Sequence, residues 1–156
     1  LDATPASNDN LITSIYLDFD DMEAHINRLH AKYAEISAQE AQAEVYGADV
    51  PDIVLTGYGI TGRMLRSAVD MLNEIGIDAT LIRPQTLWPF PSNIYQQVVK
   101  PGVPVLSVEL SCGQFVEDVR LALPGHKVKH YGRVGGNLPE LKELVAQAEK
   151  CLQEAK

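Results

Sequence analysis

The stretch Asp52-Ile53-Val54-Leu55-Thr56-Gly57-Tyr58-Gly59-Ile60-Thr61-Gly62 decides how this chain folds. Ile53 to Thr56 is an apolar, β-branched run without polar alternation, the pattern of a strand covered on both faces of a parallel sheet. It breaks into three glycines and then into helical periodicity. Gly57 and Gly59 permit a sharp turn with close backbone approach, and Thr61 is placed to cap the helix that follows. The spacing is that of a dinucleotide-binding loop, but glycines at a strand-to-helix turn occur in any α/β domain. A nucleotide site also asks for an acidic residue at the far end of the next strand, to hold a ribose. Here Asp78 stands where that strand begins, and its end carries Arg83-Pro84. A nucleotide- or phosphate-binding module built on the Gly57–Gly62 turn is the lesser reading, and strand-to-helix packing the greater.

Downstream the same grammar repeats. Met64, Leu65, Ala68, Met71, Leu72 and Ile75 fall on one broad helical face that Gly76 closes. Asp78 to Ile82 is a second strand. Arg83 to Pro91 holds three prolines with Trp88 and Phe90 and reads as irregular. A short helix over Ser92 to Val99 and a strand from Val103 to Leu110 follow. That strand hands over Glu109, Ser111, Cys112 and Gly113 to a helix from Gln114 to Leu121. Pro124-Gly125 turns the chain into a last strand, Val128 to Tyr131, which ends in Gly132-Arg133. Pro139 then opens a closing helix with Leu141, Leu144, Val145, Ala148 and Leu152 inward.

Upstream, Ala43 to Tyr46 is a short edge strand closed by Gly47. Before it, Asp20 or Asp21 caps a helix whose apolar positions Met22, Ile26, Leu29, Tyr33 and Ile36 recur at steps of four and three. Such a narrow stripe packs on a partner helix or, more commonly, on its own domain. His25 and His30 lie five apart, off a common face, and read as solvated rather than metal-binding. Residues 1 to 19 read as irregular, with an extended piece from Leu11 to Leu17. Leu1 to Asn10, with no opening Met, reads as the cut end of something longer.

Strands alternating with helices at this spacing predict a three-layer α/β/α domain with a mostly parallel sheet and right-handed crossovers. The division is a lead-in segment and linking helix over 1–42 and an α/β domain over 43–156. The carboxyl ends of the main strands then carry Gly57 to Gly59, Arg83, Glu109 to Gly113 and Gly132-Arg133, the edge where such sheets usually work.

The bulk numbers narrow the function classes. The 156 residues suit one domain, and 46% hydrophobic with 22% charged residues is ordinary globular material. A net charge of -8 argues against nucleic acid as a partner. No segment approaches the roughly 18 apolar residues of a membrane span, and no signal-peptide pattern opens the chain. Cys112 and Cys151 are too few for an iron–sulfur cluster or structural zinc, which take about four ligands. The sequence leaves a disulfide between them open, although so sparse a count fits free thiols in the cytoplasm.

The chemistry-bearing residues say less. Cys112 has no neighbouring base in sequence, and no Ser-His-Asp set assembles, so a self-contained hydrolase is disfavoured. Glu109 at a strand end reads as the partner of an arginine, with Arg83 and Arg133 available. Trp88 and Phe90 are balanced between core plugs and interface anchors.

Three motifs carry a resemblance. Leu81-Ile82-Arg83-Pro84-Gln85-Thr86-Leu87-Trp88-Pro89-Phe90-Pro91, Val108-Glu109-Leu110-Ser111-Cys112-Gly113-Gln114-Phe115-Val116-Glu117-Asp118-Val119-Arg120 and Tyr131-Gly132-Arg133-Val134-Gly135-Gly136 occur in order. They closely resemble the C-terminal region of the α-type subunit of 2-oxoacid:ferredoxin oxidoreductases, most of all the 2-ketoisovalerate (3-methyl-2-oxobutanoate) type and next the 2-oxoglutarate type. Asp18 to His25 looks like that family's lead-in. The resemblance implies a transketolase C-terminal-domain-like fold, a five-stranded mixed sheet whose antiparallel edge strand would be 43–46. It implies a whole enzyme that oxidatively decarboxylates a 2-oxoacid with coenzyme A to acyl-CoA and carbon dioxide, reducing ferredoxin, with thiamine diphosphate and [4Fe-4S] clusters. This domain is expected to have no cofactor, metal or catalytic residue of its own. Its expected partners are the other domains and subunits of that enzyme, with dimerisation left open. Tyr58, Arg83, Trp88, Phe90, Glu109, Gln114 and Arg133 are the candidate interface or cleft residues. The departures are Gln85 where Ile is usual, Cys112 for Ala and Phe115 for Met; none removes a charge, and substrate choice stays open.

Overall fold

Ten elements follow one another in the computed structural model, which describes residues 15–155. Helix α1 spans Phe19–Glu40, followed by β1 Ala43–Gly47, β2 Ile53–Thr56, α2 Gly59–Glu74 and β3 Ala79–Pro84. Then come α3 Ser92–Val98, β4 Val105–Glu109, α4 Gln114–Ala122, β5 Val128–Gly132 and α5 Leu141–Ala155. The sheet order is β1-β3-β2-β4-β5, with β1 antiparallel to β3 and every other pair parallel.

Burial explains the order. The apolar run of β2 is wholly buried, so it takes the centre with β3 and β4 beside it. One face of the sheet, with Ile53, Leu55, Leu81, Leu106 and Val108, packs against Leu65, Ala68, Val69 and Leu72 of α2 and Leu144, Ala148 and Cys151 of α5. The other face, with Val54, Ile82 and Val105, packs against Tyr95 of α3 and Phe115, Val119 and Ala122 of α4. The three layers of the expected α/β/α architecture are thus present, with the antiparallel edge strand where 43–46 was read.

Several local expectations are corrected. Asp18, and neither Asp20 nor Asp21, caps α1; its Oδ1 accepts from the N–H groups of both. Thr61 does not cap α2, because its hydroxyl donates to the Tyr58 carbonyl from inside the first turn. Ile75 is 59% exposed as the residue at the helix end, and Val69 takes its place in the core. β3 runs through Arg83 and Pro84, so the irregular segment begins at Gln85. Pro139 and Glu140 precede α5, which starts at Leu141, itself partly exposed. Ile15 to Leu17 form no strand; the rest of the proposed extended piece lies outside the described residues. Both cysteines are free, Cys112 exposed and Cys151 buried.

α1 departs most from expectation. No residue of its 22 is buried, and Met22, Ile26 and Tyr33 are exposed. Of its stripe, Leu29 and Ile36 are half-buried, and the Tyr33 ring meets Trp88 edge-on at 5.6 Å. His30 is exposed, and the half-exposed His25 stacks on Tyr16 at 4.5 Å, with Tyr16 Oη 3.0 Å and Arg28 Nη2 2.7 Å from Nδ1.

Candidate functional site

The carboxyl ends of β2, β3, β4 and β5 converge on one edge, and glycines let their exits interlock. A Cβ on Gly57 would lie 2.8 Å from the Val108 carbonyl and 2.9 Å from Leu65, so the β2 exit rests directly on β4 and α2. One on Gly62 would meet the Gly57 carbonyl at 2.8 Å and Arg83 Cγ at 2.9 Å, and one on Gly132 the Ser111 carbonyl at 2.5 Å. Cβ atoms do not approach backbone that closely, so these positions exclude any side chain. Gly57 and Gly62 therefore serve packing, whereas Gly59 between them faces open space.

Glu109, the last residue of β4, is 1% exposed and turns its carboxylate under the start of α4. Oε2 accepts from the Ser111 hydroxyl and from Phe115 N–H at 3.1 Å, and Oε1 from Val116 N–H at 3.0 Å. Gly113, which precedes α4, has no side chain with which to cap it, so Glu109 satisfies its first-turn donors from upstream. His130 Nε2 lies 3.4 Å from Oε1, outside hydrogen-bonding geometry. Burial pushes the carboxyl up, but Ser111, the two N–H groups and His130 outweigh it and hold it below the usual carboxylate range.

The arginines expected to pair with Glu109 are engaged elsewhere. The β1–β3 register sets Glu44 opposite Arg83, and Arg83 Nη1 reaches Glu44 Oε2 at 3.3 Å. Glu44 Oε1 also takes Arg66 Nη1 at 2.5 Å, with that guanidinium 3.8 Å above the Tyr46 ring. Arg133 Nη2 meets Glu143 Oε1 at 2.5 Å, and the Tyr131 hydroxyl donates to the same oxygen. With Arg133 first and Tyr131 second, this set pulls the Glu143 carboxyl down to about 2.

Tyr58 and Arg83 line a shallow cleft of about 380 Å³ with Gly59, Pro84, Gln85 and Leu87. Tyr58 also packs on Phe115 at 5.1 Å. The two loop aromatics, balanced in the sequence, separate. Phe90 stacks on Tyr95 at 5.1 Å as part of the core, whereas Trp88 is 63% exposed. Pro84, Pro89 and Pro91 are buried, so Trp88 projects from a pinned loop. Gln114 is exposed at the first position of α4. His130, Glu44 and Glu143 escaped the sequence reading, and Ser111 was placed at the edge without its partner, because these partners are set by strand register and helix placement. Only the Ser111–Glu109 spacing of two carried a local hint.

Residues 51–144 match the family described as pyruvate:ferredoxin oxidoreductase core domain II. The chain belongs to this family. This core domain II is 43% identical over 136 residues to the ketoisovalerate oxidoreductase subunit VorB of Methanothermobacter thermautotrophicus, covering 87% of the chain and 39% of that protein. It is 28% identical over 134 residues to the 2-oxoglutarate synthase subunit KorA of Methanothermobacter marburgensis, covering 83% of the chain and 36% of that protein. The chain thus spans about two fifths of the length of the curated relatives it matches. In fold it resembles a 2-oxoglutarate:ferredoxin oxidoreductase from Magnetococcus marinus with 2-oxoglutarate, coenzyme A and succinyl-CoA bound. There the TM-score is 0.76 at 21% identity, over 88% of this chain and 24% of that one. A split-gene transketolase, an inactive β4 tetramer, matches with a TM-score of 0.58 at 17% identity, over 74% and 42% of the two chains.

The domain's own residues do not fit an iron–sulfur cluster. An iron–sulfur cluster takes about four thiolates. Cys112 lies in the turn between β4 and α4 and Cys151 in α5, and among the described residues no three His, Cys, Asp or Glu side chains converge for a metal. Gly57 and Gly62 are packed against β4 and Arg83, while Gly59 between them has open space around it. No helix among the described residues is long and apolar enough to cross a membrane.

Proposed function

We propose that this core domain II is a non-catalytic domain of the α-type subunit of a 2-oxoacid:ferredoxin oxidoreductase of the 2-ketoisovalerate type. The observation that carries this reading is the 43% identity to a ketoisovalerate oxidoreductase subunit across 87% of the chain. In the whole enzyme, thiamine diphosphate and [4Fe-4S] clusters held by other domains and subunits supply the decarboxylation and electron-transfer chemistry. The products are acyl-CoA, carbon dioxide and reduced ferredoxin. The part taken by residues 43–156 is assembly and the shaping of the cleft above the cofactor. Tyr58, Arg83, Trp88, Gln114 and Arg133 serve as contact residues, Phe90 supports their loop from the core, and Glu109 lies beneath them.

Trp88 is the anchor of that surface. An exposed indole on a proline-pinned loop loses little conformational freedom on docking, and such anchors contribute about 2 kcal/mol or more to an interface. Trp88→Ala in the complete enzyme is therefore expected to weaken association of this subunit about thirty-fold, with activity recovering as subunit concentration is raised. Unchanged assembly and activity would remove Trp88 from the interface. Comparing kcat/KM for 2-ketoisovalerate and 2-oxoglutarate in the same preparation tests the substrate class.

A further inference from the structure

The apolar face of α1 differs in kind from those of the helices that cover the sheet. α2 buries Leu65, Ala68, Val69 and Leu72, a broad face suited to a sheet. On α1, Phe19, Met22, Ile26, Leu29, Tyr33 and Ile36 follow one another at alternating steps of three and four, a strict seven-residue repeat. The positions that flank this seam, 18, 23, 25, 30, 32, 37 and 39, are all polar. So narrow a seam suits a partner helix rather than a sheet. None of it is buried, and Phe19 is 89% exposed.

The seam complements itself in reverse. Laid antiparallel on a second α1, Phe19 stands opposite Ile36, Met22 opposite Tyr33 and Ile26 opposite Leu29. A twofold axis repeats each pair, so every layer is apolar. The flanks select the direction, because charges beside such a seam set partner and orientation. Antiparallel, each Glu23 faces the other copy's His30, Asp18 faces Gln39, and His25 faces Lys32, a contact that a neutral imidazole accepts. Parallel, Asp18 would face Glu23, carboxylate against carboxylate, on both sides. Glu23 and His30 are exposed and stand ready for that contact.

We infer that in the complete enzyme α1 pairs antiparallel with α1 of a second copy of this chain, an isologous contact closed by a twofold axis. This rests on the domain working inside a larger enzyme, as proposed above, but not on the strand-end surface around Trp88. A seam this short holds two dilute chains only weakly; in the complete enzyme neighbouring domains add to the contact and raise the effective concentration of one helix at the other.

The test uses the complete enzyme with Met22→Cys and Tyr33→Cys in one chain, on a Cys112→Ser background, under a mild thiol oxidant. No residue of α1 is buried, so these changes leave the fold intact. Positions 22 and 33 lie about 16 Å apart along one helix, beyond the reach of a disulfide, so a bond between them joins two copies. Linked pairs of this subunit are expected, with at least about ten-fold less when either substitution stands alone. Adding Glu23→Lys is expected to slow linking about five-fold, and adding His30→Glu as well to restore it. Those two positions are about 10 Å apart on their own helix, so restoration comes only from the second copy. Linking by Met22→Cys alone, as a parallel pair would give, overturns the inference. So does linking that Glu23→Lys leaves unmoved, or that His30→Glu fails to restore. Absence of linking while Trp88→Ala still weakens association overturns the pairing and leaves the assembly role standing. Linking with association indifferent to Trp88→Ala supports the pairing and removes the strand-end surface instead.

Discussion

Arg133 and Glu143 show how one side chain at the sheet edge is set by a partner ten residues away on a different element. Glu143 accepts from Arg133 and from Tyr131, and its carboxyl is held at about 2 against an ordinary 4.5. A folded-state pKa below the unfolded one means stability that is fully present above about 4.5 and lost as pH falls toward about 2. Arg133→Met is therefore expected to lower the thermal midpoint at pH 7, and the gap to the unaltered chain should close between those two values. Unfolding curves taken at steps from pH 7 to pH 2 check this. A gap as wide at pH 2 as at pH 7 would mean that Arg133 acts through packing, not through charge.

The helices separate what periodicity reveals from what it leaves open. α2 and α5 were legible because their apolar positions recur on one face and a sheet lies beneath them; Leu65, Leu72, Leu144 and Ala148 are buried as read. The stripe of α1 was equally legible, but its covering was not. Apolar spacing says that a face wants burial and is silent on what provides it. The same limit hid the partner of Arg83, which strand register chooses, and those of Glu109 and Arg133, which the placement of α4 and α5 chooses, whereas β2 and its glycine turn could be read locally because burial on both faces and a steric exclusion are written in residue type. The difference between the helices is measurable. Leu65→Ala is expected to cost about 2 to 5 kcal/mol of stability through the cavity it leaves. Ile26→Gln, at a position 42% exposed, is expected to stay within about 0.5 kcal/mol. Urea unfolding of the purified chain compares the two, and equal losses would show that α1 is covered in the free chain.

The molecule as a whole divides at Gln42, ahead of the first buried residue among those described, Pro51. Among the described residues nothing before Gln42 is buried, and Gln42 is where the chain enters the fold: its carbonyl accepts Gln85 N–H at 2.9 Å and its N–H donates to Thr86 at 3.0 Å. Everything that covers the two faces of the sheet comes from residues after it. The lead-in 1–42 is thus proposed to be dispensable for folding, with its apolar seam reserved for the rest of the enzyme. On that reading residues 43–156 alone unfold in one cooperative step. Their denaturant midpoint falls by no more than about 1 to 2 M urea, since the losses among the described residues are the Tyr33–Trp88 contact and the hydrogen bonds that join Gln42 to Gln85 and Thr86, each worth about 1 kcal/mol or less. The slope of stability against denaturant, which tracks the surface exposed on unfolding, should fall only slightly, because an unburied helix exposes little more when it melts. A sharply reduced slope or a non-cooperative transition would place α1 inside the folding unit. An unchanged one, with the same truncation abolishing assembly of the complete enzyme, would make the helix a connector whose apolar stripe is buried only in the complex.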